Sequence, residues 1–263
     1  APEMKNGAHW GLRDYQRLAV EAFHGDGLAQ GGSGVVVLPC GAGKTMVGIG
    51  AMARLNMKTL ILCTNVTALR QWRNEILDKT TLTEDLVGEY SGELKDIRPV
   101  TLTTYQMLTF RKSKNETFVH FGIFDRENWG LIVYDEVHLL PAPIFRAVAH
   151  LQARRRLGLT ATLVREDGKE ADVFALIGPK RFDVPWKDLE HQGWIAAATC
   201  TEIRIPFSEE DRIRYAVADD REKFRIASIN ARKGPVIESL LGRHKDDRVL
   251  ILGMYVEQLE LLA

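Results

Sequence analysis

Short runs of β-branched and apolar residues, alternating with helix-length stretches, constrain this chain more than any other feature. The runs are Gly34-Val35-Val36-Val37-Leu38, Thr59-Leu60-Ile61-Leu62-Cys63, Pro99-Val100-Thr101-Leu102-Thr103, Leu131-Ile132-Val133-Tyr134 and Leu157-Gly158-Leu159-Thr160-Ala161. A strand without a polar face must be covered on both sides, which is the condition of a parallel sheet with helices above and below. Thr45 to Leu55 and Val66 to Asp78 read as two of those helices, with Ala68, Trp72 and Ile76 four apart on one face. The expected class is α/β, a parallel β-sheet flanked by helices on both faces.

Composition excludes several alternatives. With 45% hydrophobic and 27% charged residues in 263, the chain has the balance of a globular protein rather than a disordered or collagenous one. Runs such as Val35 to Leu38 are too short to cross a bilayer, so no membrane partner is expected. Lysine and arginine number 35, as do aspartate and glutamate, which rules out a uniformly basic coat but leaves room for one basic face. Cys40, Cys63 and Cys200 are scattered, so neither a disulfide scaffold nor a zinc site is expected and a reducing compartment is. The opening Ala1-Pro2-Glu3-Met4 lacks the order of a secretion signal.

Composition shifts near Pro206, which suggests a first domain over residues 1–206 and a second segment over 207–263. Ser208 to Arg232 is charged and helix-favouring, with Ser208 as a cap and Gly234-Pro235 as a stop. Arg248 to Gly253 reads as a strand, and Val256 to Leu262 opens a helix. One strand and part of a helix cannot bury their own apolar faces, so the segment reads as the truncated start of a second α/β domain. Arg154-Arg155-Arg156 reads as a cationic helix end answering the helix dipole.

Three motifs carry chemistry. Gly41-Ala42-Gly43-Lys44-Thr45 lies between a strand and a helix, where glycines let backbone N–H groups approach a phosphate chain. There Lys44 would reach the outer phosphates and the Thr45 hydroxyl would ligate Mg²⁺. Leu38 stands where the usual phosphate-loop pattern has its first glycine. The second motif, Asp135-Glu136-Val137-His138, follows a buried run, so its carboxylates emerge at a strand end beside the phosphates. Asp135 would hold Mg²⁺, Glu136 would deprotonate the attacking water, and His138 would either sense the nucleotide or simply pack. The third is Thr160-Ala161-Thr162, whose hydroxyls can bridge Asp135 and a nucleic-acid side of the site.

Taken in order with Leu12-Arg13-Asp14-Tyr15-Gln16, these motifs resemble the superfamily-two helicases. Arg165-Glu166-Asp167, Leu176-Ile177-Gly178-Pro179-Lys180 and Gln192-Gly193-Trp194-Ile195 narrow the resemblance to the XPB repair helicases. The resemblance implies a RecA-like fold and the start of a second RecA-like domain. It also implies ATP and Mg²⁺ as cofactors, DNA as a single strand or fork, and 3′ to 5′ movement in nucleotide excision repair. Gln16, with Arg13 nearby, would read adenine. Arg165, Glu166 and Asp167 would serve strand separation, or form a mixed-charge turn, and Ser208 to Arg232 would be a thumb-like insertion or a solvated hairpin.

Thr64, Asn65, Arg70, Thr103 and Thr104 would grip DNA phosphates, or cap and coat the surface, with Tyr105 and Gln106 in the same segment. Nuclease or repair-complex partners fit such a protein, cytoplasmic and nucleoid-associated in a prokaryote or nuclear in a eukaryote. No glutamine–glycine–arginine series follows Gly234. The chain is therefore expected to bind ATP, hydrolyse it weakly and fail to unwind alone. A duplex translocase of a restriction or remodelling complex, an RNA motor and a non-catalytic nucleic-acid-binding module remain open.

Overall fold

The computed structural model describes residues 11–25, 31–113, 116, 118–125, 127–139, 153–162 and 170–260. Two compact units divide between Ala197 and Ala198, a little before the composition change at Pro206.

The first unit is built on one parallel sheet. Its strands are β1 (Ser33–Val37), β2 (Thr59–Cys63), β3 (Val87–Tyr90), β4 (Val100–Thr104), β5 (Trp129–Asp135), β6 (Ala153–Thr160) and β7 (Lys180–Asp183), in the spatial order β3-β4-β2-β5-β6-β1-β7. The paired strands all run parallel. Alternation along each strand sends side chains to two layers. Val36, Leu38, Ile61, Cys63, Leu131 and Val133 face α1 (Asp14–His24), α2 (Lys44–Leu55) and α3 (Val66–Lys79). Val35, Val37, Leu60, Leu62, Ile132 and Tyr134 face α4 (Tyr105–Leu108), α5 (Phe121–Asp125) and the helix Glu170–Ile177. The α/β expectation is met.

Every strand expected from an apolar run of the first unit is present. The sheet adds β3 and β7, its two edges, whose Glu89 and Lys180-Arg181 hid them from a search for apolar runs. Edge strands commonly carry charge, which discourages pairing with other chains. Arg154-Arg155-Arg156 is not a helix end but the first half of β6, which corrects the dipole reading. The neighbours decide it, because Arg155 and Arg156 pair in register with Leu131 and Ile132 of β5. The guanidinium of Arg156 donates to the Leu176 carbonyl at 2.8 Å.

The second unit is helical, with helices Glu209–Val217, Asp220–Ser228, Lys233–Arg243 and Val256–Glu260. Ser208 and Asp219 cap the first two, accepting from the backbone N–H groups of Asp211 and Glu222 at 3.0 and 2.9 Å. Two expectations are corrected. Gly234-Pro235 does not stop a helix but lies in the first turn of Lys233–Arg243, where proline's missing N–H costs nothing. Residues 248–253 form no strand. A strand needs a partner for its ladder, and among the described residues this unit has no other strand to pair with, so Leu250 and Leu252 stand 79% and 84% exposed. No described helix is long and apolar enough to cross a membrane.

Candidate active site

The site forms where β1, β6 and β5 end side by side, the carboxyl edge at which open α/β sheets place their ligands. After β1 the chain turns through Gly41 and Gly43, with φ of 79° and 78°, and Gly43 caps α2. That backbone region suits glycine. A Cβ on Gly43 would also lie 2.6 Å from Nε2 of Gln16. The first N–H groups of α2 lack partners within the helix and carry its positive dipole end, so they can receive an anion. Lys44 and Thr45 occupy that first turn.

The loop is held from behind by α1. The Ala42 carbonyl accepts from the Tyr15 hydroxyl at 2.8 Å and from Nε2 of Gln16 at 3.0 Å, while Oε1 of Gln16 accepts from the Arg13 backbone N–H at 3.0 Å. The buried Gln16 amide is thus part of the loop's support. The Arg13 guanidinium stacks 4.4 Å from the ring centre of Trp194 and donates to the Tyr15 hydroxyl at 3.1 Å.

Opposite the loop, β5 delivers the acids. Asp135 continues the series Leu131 and Val133 toward α3, and one of its oxygens accepts from the Trp72 indole N–H at 3.1 Å. Burial raises its pKa to about 6; the indole bond and Lys44 oppose the shift, while Glu136 adds to it. Burial, with the Asp135 charge adding, also pushes the neighbouring Cys63 thiol well up. Glu136 lies at φ 48°, a left-handed conformation that costs a non-glycine residue about 1–3 kcal/mol and that clusters at working sites.

Its Oε1 is 3.1 Å from the Lys44 ammonium, and its Oε2 is 3.5 Å from Nδ1 of His138. Nδ1 of His138 also lies 2.7 Å from the Thr160 hydroxyl, whose hydrogen goes to the Thr162 carbonyl, so Nδ1 is the donor. Thr160 therefore meets His138 and not Asp135, a correction to the expected bridge. Lys44, Glu136, His138 and Thr160 make one polar chain across the ends of three strands.

The donor set suits a divalent cation. A buried carboxylate bonded to a neutral indole gains most from an added positive charge. Glu136 Oε2 is buried with no hydrogen-bond partner among the described residues, so a polar group is wanted there.

The expected DNA residues separate into three groups. Thr64 is half-buried with its carbonyl accepting from Gln106 Nε2 at 2.9 Å, and Asn65 caps α3 by accepting from the Ala68 N–H at 2.8 Å. Arg70 is half-exposed and pairs with Glu93 at 2.5 Å and Glu89 at 3.7 Å, beside a groove of about 640 Å³ along α3. Thr103 and Thr104 are buried, the first donating to the Tyr90 carbonyl at 2.7 Å and the second capping α4. That burial removes both side chains from any surface grip and corrects the expectation. Thr162 is exposed. Arg165, Glu166 and Asp167 lie outside the described residues.

Comparison with known proteins follows the same lines. The family described as "Type III restriction enzyme, res subunit" matches residues 9–165. A relative named DNA 3′-5′ helicase XPB, from Mycobacterium tuberculosis, is 57% identical over 97% of this chain and 45% of its own length. The chain belongs to the XPB family of superfamily-two helicases. A relative from Encephalitozoon cuniculi, named a general transcription and DNA repair factor IIH helicase/translocase subunit XPB, is 36% identical over 96% of this chain and 38% of its own. The chain thus spans less than half the length of these curated relatives. Among solved structures, the Pyrococcus furiosus Hef helicase domain superposes with a TM-score of 0.55 at 19% identity, covering 88% of this chain and 53% of that one. The Sulfolobus solfataricus SWI2/SNF2 ATPase core superposes with a TM-score of 0.52 at 21% identity, covering 68% and 37%. These likenesses establish the RecA-like helicase fold.

What the sequence did not show is the supporting contacts of Tyr15, Trp72 and Tyr105. Trp72 showed only as one apolar position in a helical stripe, and nothing in spacing reveals an indole N–H aimed at a carboxylate.

Proposed function

We propose that this chain is the ATP-binding part of a DNA motor that moves 3′ to 5′ and serves nucleotide excision repair. The observation that carries the reading is the chain from Lys44 through Glu136 and His138 to Thr160, set beside a glycine-built anion cradle.

Gly41, Ala42, Gly43, Lys44 and Thr45 would wrap the phosphates, with backbone N–H groups and one ammonium. Thr45 and Asp135 would hold Mg²⁺, which when bound neutralises charge building on the transferring phosphoryl group. The phosphates would take Lys44 from Glu136. The freed carboxylate would then orient and deprotonate water, while His138, its N–H held by Thr160, stays beside the second oxygen. Gln16, with Arg13 nearby, would read the base by exchanging one of its present loop contacts for the adenine edge.

Contact with DNA is proposed at Thr64, Asn65, Arg70 and Thr162. A DNA phosphate would compete with Glu93 for Arg70, giving grip without sequence reading. The segment 198–263 is proposed to lead into a second RecA-like domain, and repair-complex or nuclease partners would act on the whole protein. In the intact protein, Glu136→Gln should keep nucleotide binding and lose DNA-stimulated hydrolysis. Strand displacement by the parent supports the helicase reading. ATP-driven movement on duplex without displacement favours translocation, and no nucleotide binding overturns both.

A further inference from the structure

Asp135 is gripped from two directions by aromatic side chains for which the phosphate site has no other use. From α3, the Trp72 indole N–H donates to the side-chain Oδ2 at 3.1 Å. From α4, the Tyr105 hydroxyl donates to the Asp135 backbone carbonyl at 2.8 Å. Trp72 and Tyr105 are both about 2% exposed. The indole needs a prepared slot: a Cβ on Gly48 of α2 would lie 2.4 Å from Trp72 Cη2. One ring therefore touches the helix that opens at the phosphate loop, the helix that opens at Asn65, and the acid at the end of β5.

The two donors control different things. A carboxylate has two oxygens, and an indole N–H fixed on one of them sets the orientation of the other. The carbonyl that Tyr105 holds belongs to the peptide joining Asp135 to Glu136, so its plane helps define the φ of 48° at Glu136. Tyr105 directly follows Thr104, Trp72 lies about two turns along the helix that Asn65 caps, and Gln106 Nε2 ties the two turns together through the Thr64 carbonyl at 2.9 Å.

We propose that Trp72 and Tyr105 are positioning residues for the acidic pair, Trp72 aiming Asp135 at the metal and Tyr105 setting Glu136 for water activation. Through them the turns at 64–65 and 104–106 are joined to the hydrolytic centre. The inference rests on the ATP reading above and deepens it.

Titration calorimetry of the intact protein with the ATP analogue AMP-PNP, in Mg²⁺ and in EDTA, tests it alongside steady-state hydrolysis. Trp72→Phe keeps an aromatic ring and loses the donor, so the Mg²⁺-dependent gain in affinity should fall about tenfold, the scale on which loss of such supporting contacts weakens metal sites. Binding in EDTA, which reports the phosphate loop alone, should stay as in the parent. Tyr105→Phe should leave AMP-PNP affinity unchanged and lower kcat about tenfold.

If Trp72→Phe fails to fold, the Tyr105→Phe split between kcat and affinity decides the matter alone. Parallel losses with and without Mg²⁺ would show a merely structural role, and parental behaviour in both variants would show no role. Either result overturns the proposal while leaving the ATP reading intact. A parent that binds no AMP-PNP overturns both.

Discussion

Asp135→Asn should stabilise the protein while abolishing hydrolysis, and the stabilisation should grow with pH. Asp135 is 8% exposed, and burial raises its pKa from 3.8 to about 6. Between those values the folded state binds more protons than the unfolded one, so stability falls as pH rises through the window and levels off above it. A shift of about 2 units corresponds to about 3 kcal/mol once the acid is ionised in both states, near pH 7.5. At pH 5 the folded acid is mostly protonated, and about half of that penalty remains.

Asparagine is uncharged and retains an oxygen to accept from Trp72, so the variant escapes the penalty. Urea unfolding at pH 5.0 and 7.5 measures it, with the variant's midpoint gain roughly doubling between the two. Saturating Mg²⁺ and nucleotide should reverse the order, because the parent alone then gains a counter-charge. A variant no more stable than its parent at pH 7.5, or an advantage that shrinks with rising pH, would refute the claim that burial dominates Asp135.

Two further changes test the packing around the site. Gly48→Ala should cost about 1–3 kcal/mol of stability by overpacking against Trp72, read from chemical denaturation; a neutral result would mean the ring has room to move. Gly43→Ala forces alanine to φ 78° and against the Gln16 amide, so it should cost more than about 1 kcal/mol and eliminate nucleotide binding. Calorimetry showing parental binding would contradict the glycine argument.

Much of this was readable in advance because the central strands are apolar on both faces, and such runs leave few structural alternatives. The positions of the Gly41 to Thr45 turn and of Asp135-Glu136 were legible for the same reason, since their place at strand ends follows from the runs. The edge strands β3 and β7 were not legible, because charge replaces the apolar pattern in both: Lys180 and Arg181 at a partly exposed edge, and Glu89 buried within 3.7 Å of Arg70. Arg154 to Arg156 misled because sequence cannot show that β5 offers them a ladder. Residues 248–253 misled the other way, as apolar residues without a strand to pair. Thr103 and Thr104 were placed by type at the correct strand end, but their burial depends on neighbours, Thr103 beside β3 and Thr104 beside β2 and at the cap of α4.

The central claim is that glycine-framed backbone and the Lys44 ammonium bind a nucleotide triphosphate. Thermal unfolding with Mg²⁺ and AMP-PNP measures it directly, comparing the parent with Lys44→Ala. At a hundred times Kd the ligand should add about 2.7 kcal/mol to the parent, an upward shift of about 5–10 °C for a domain of this size. Lys44→Ala should show almost none. Equal shifts in both proteins, or no shift in the parent, would contradict the account.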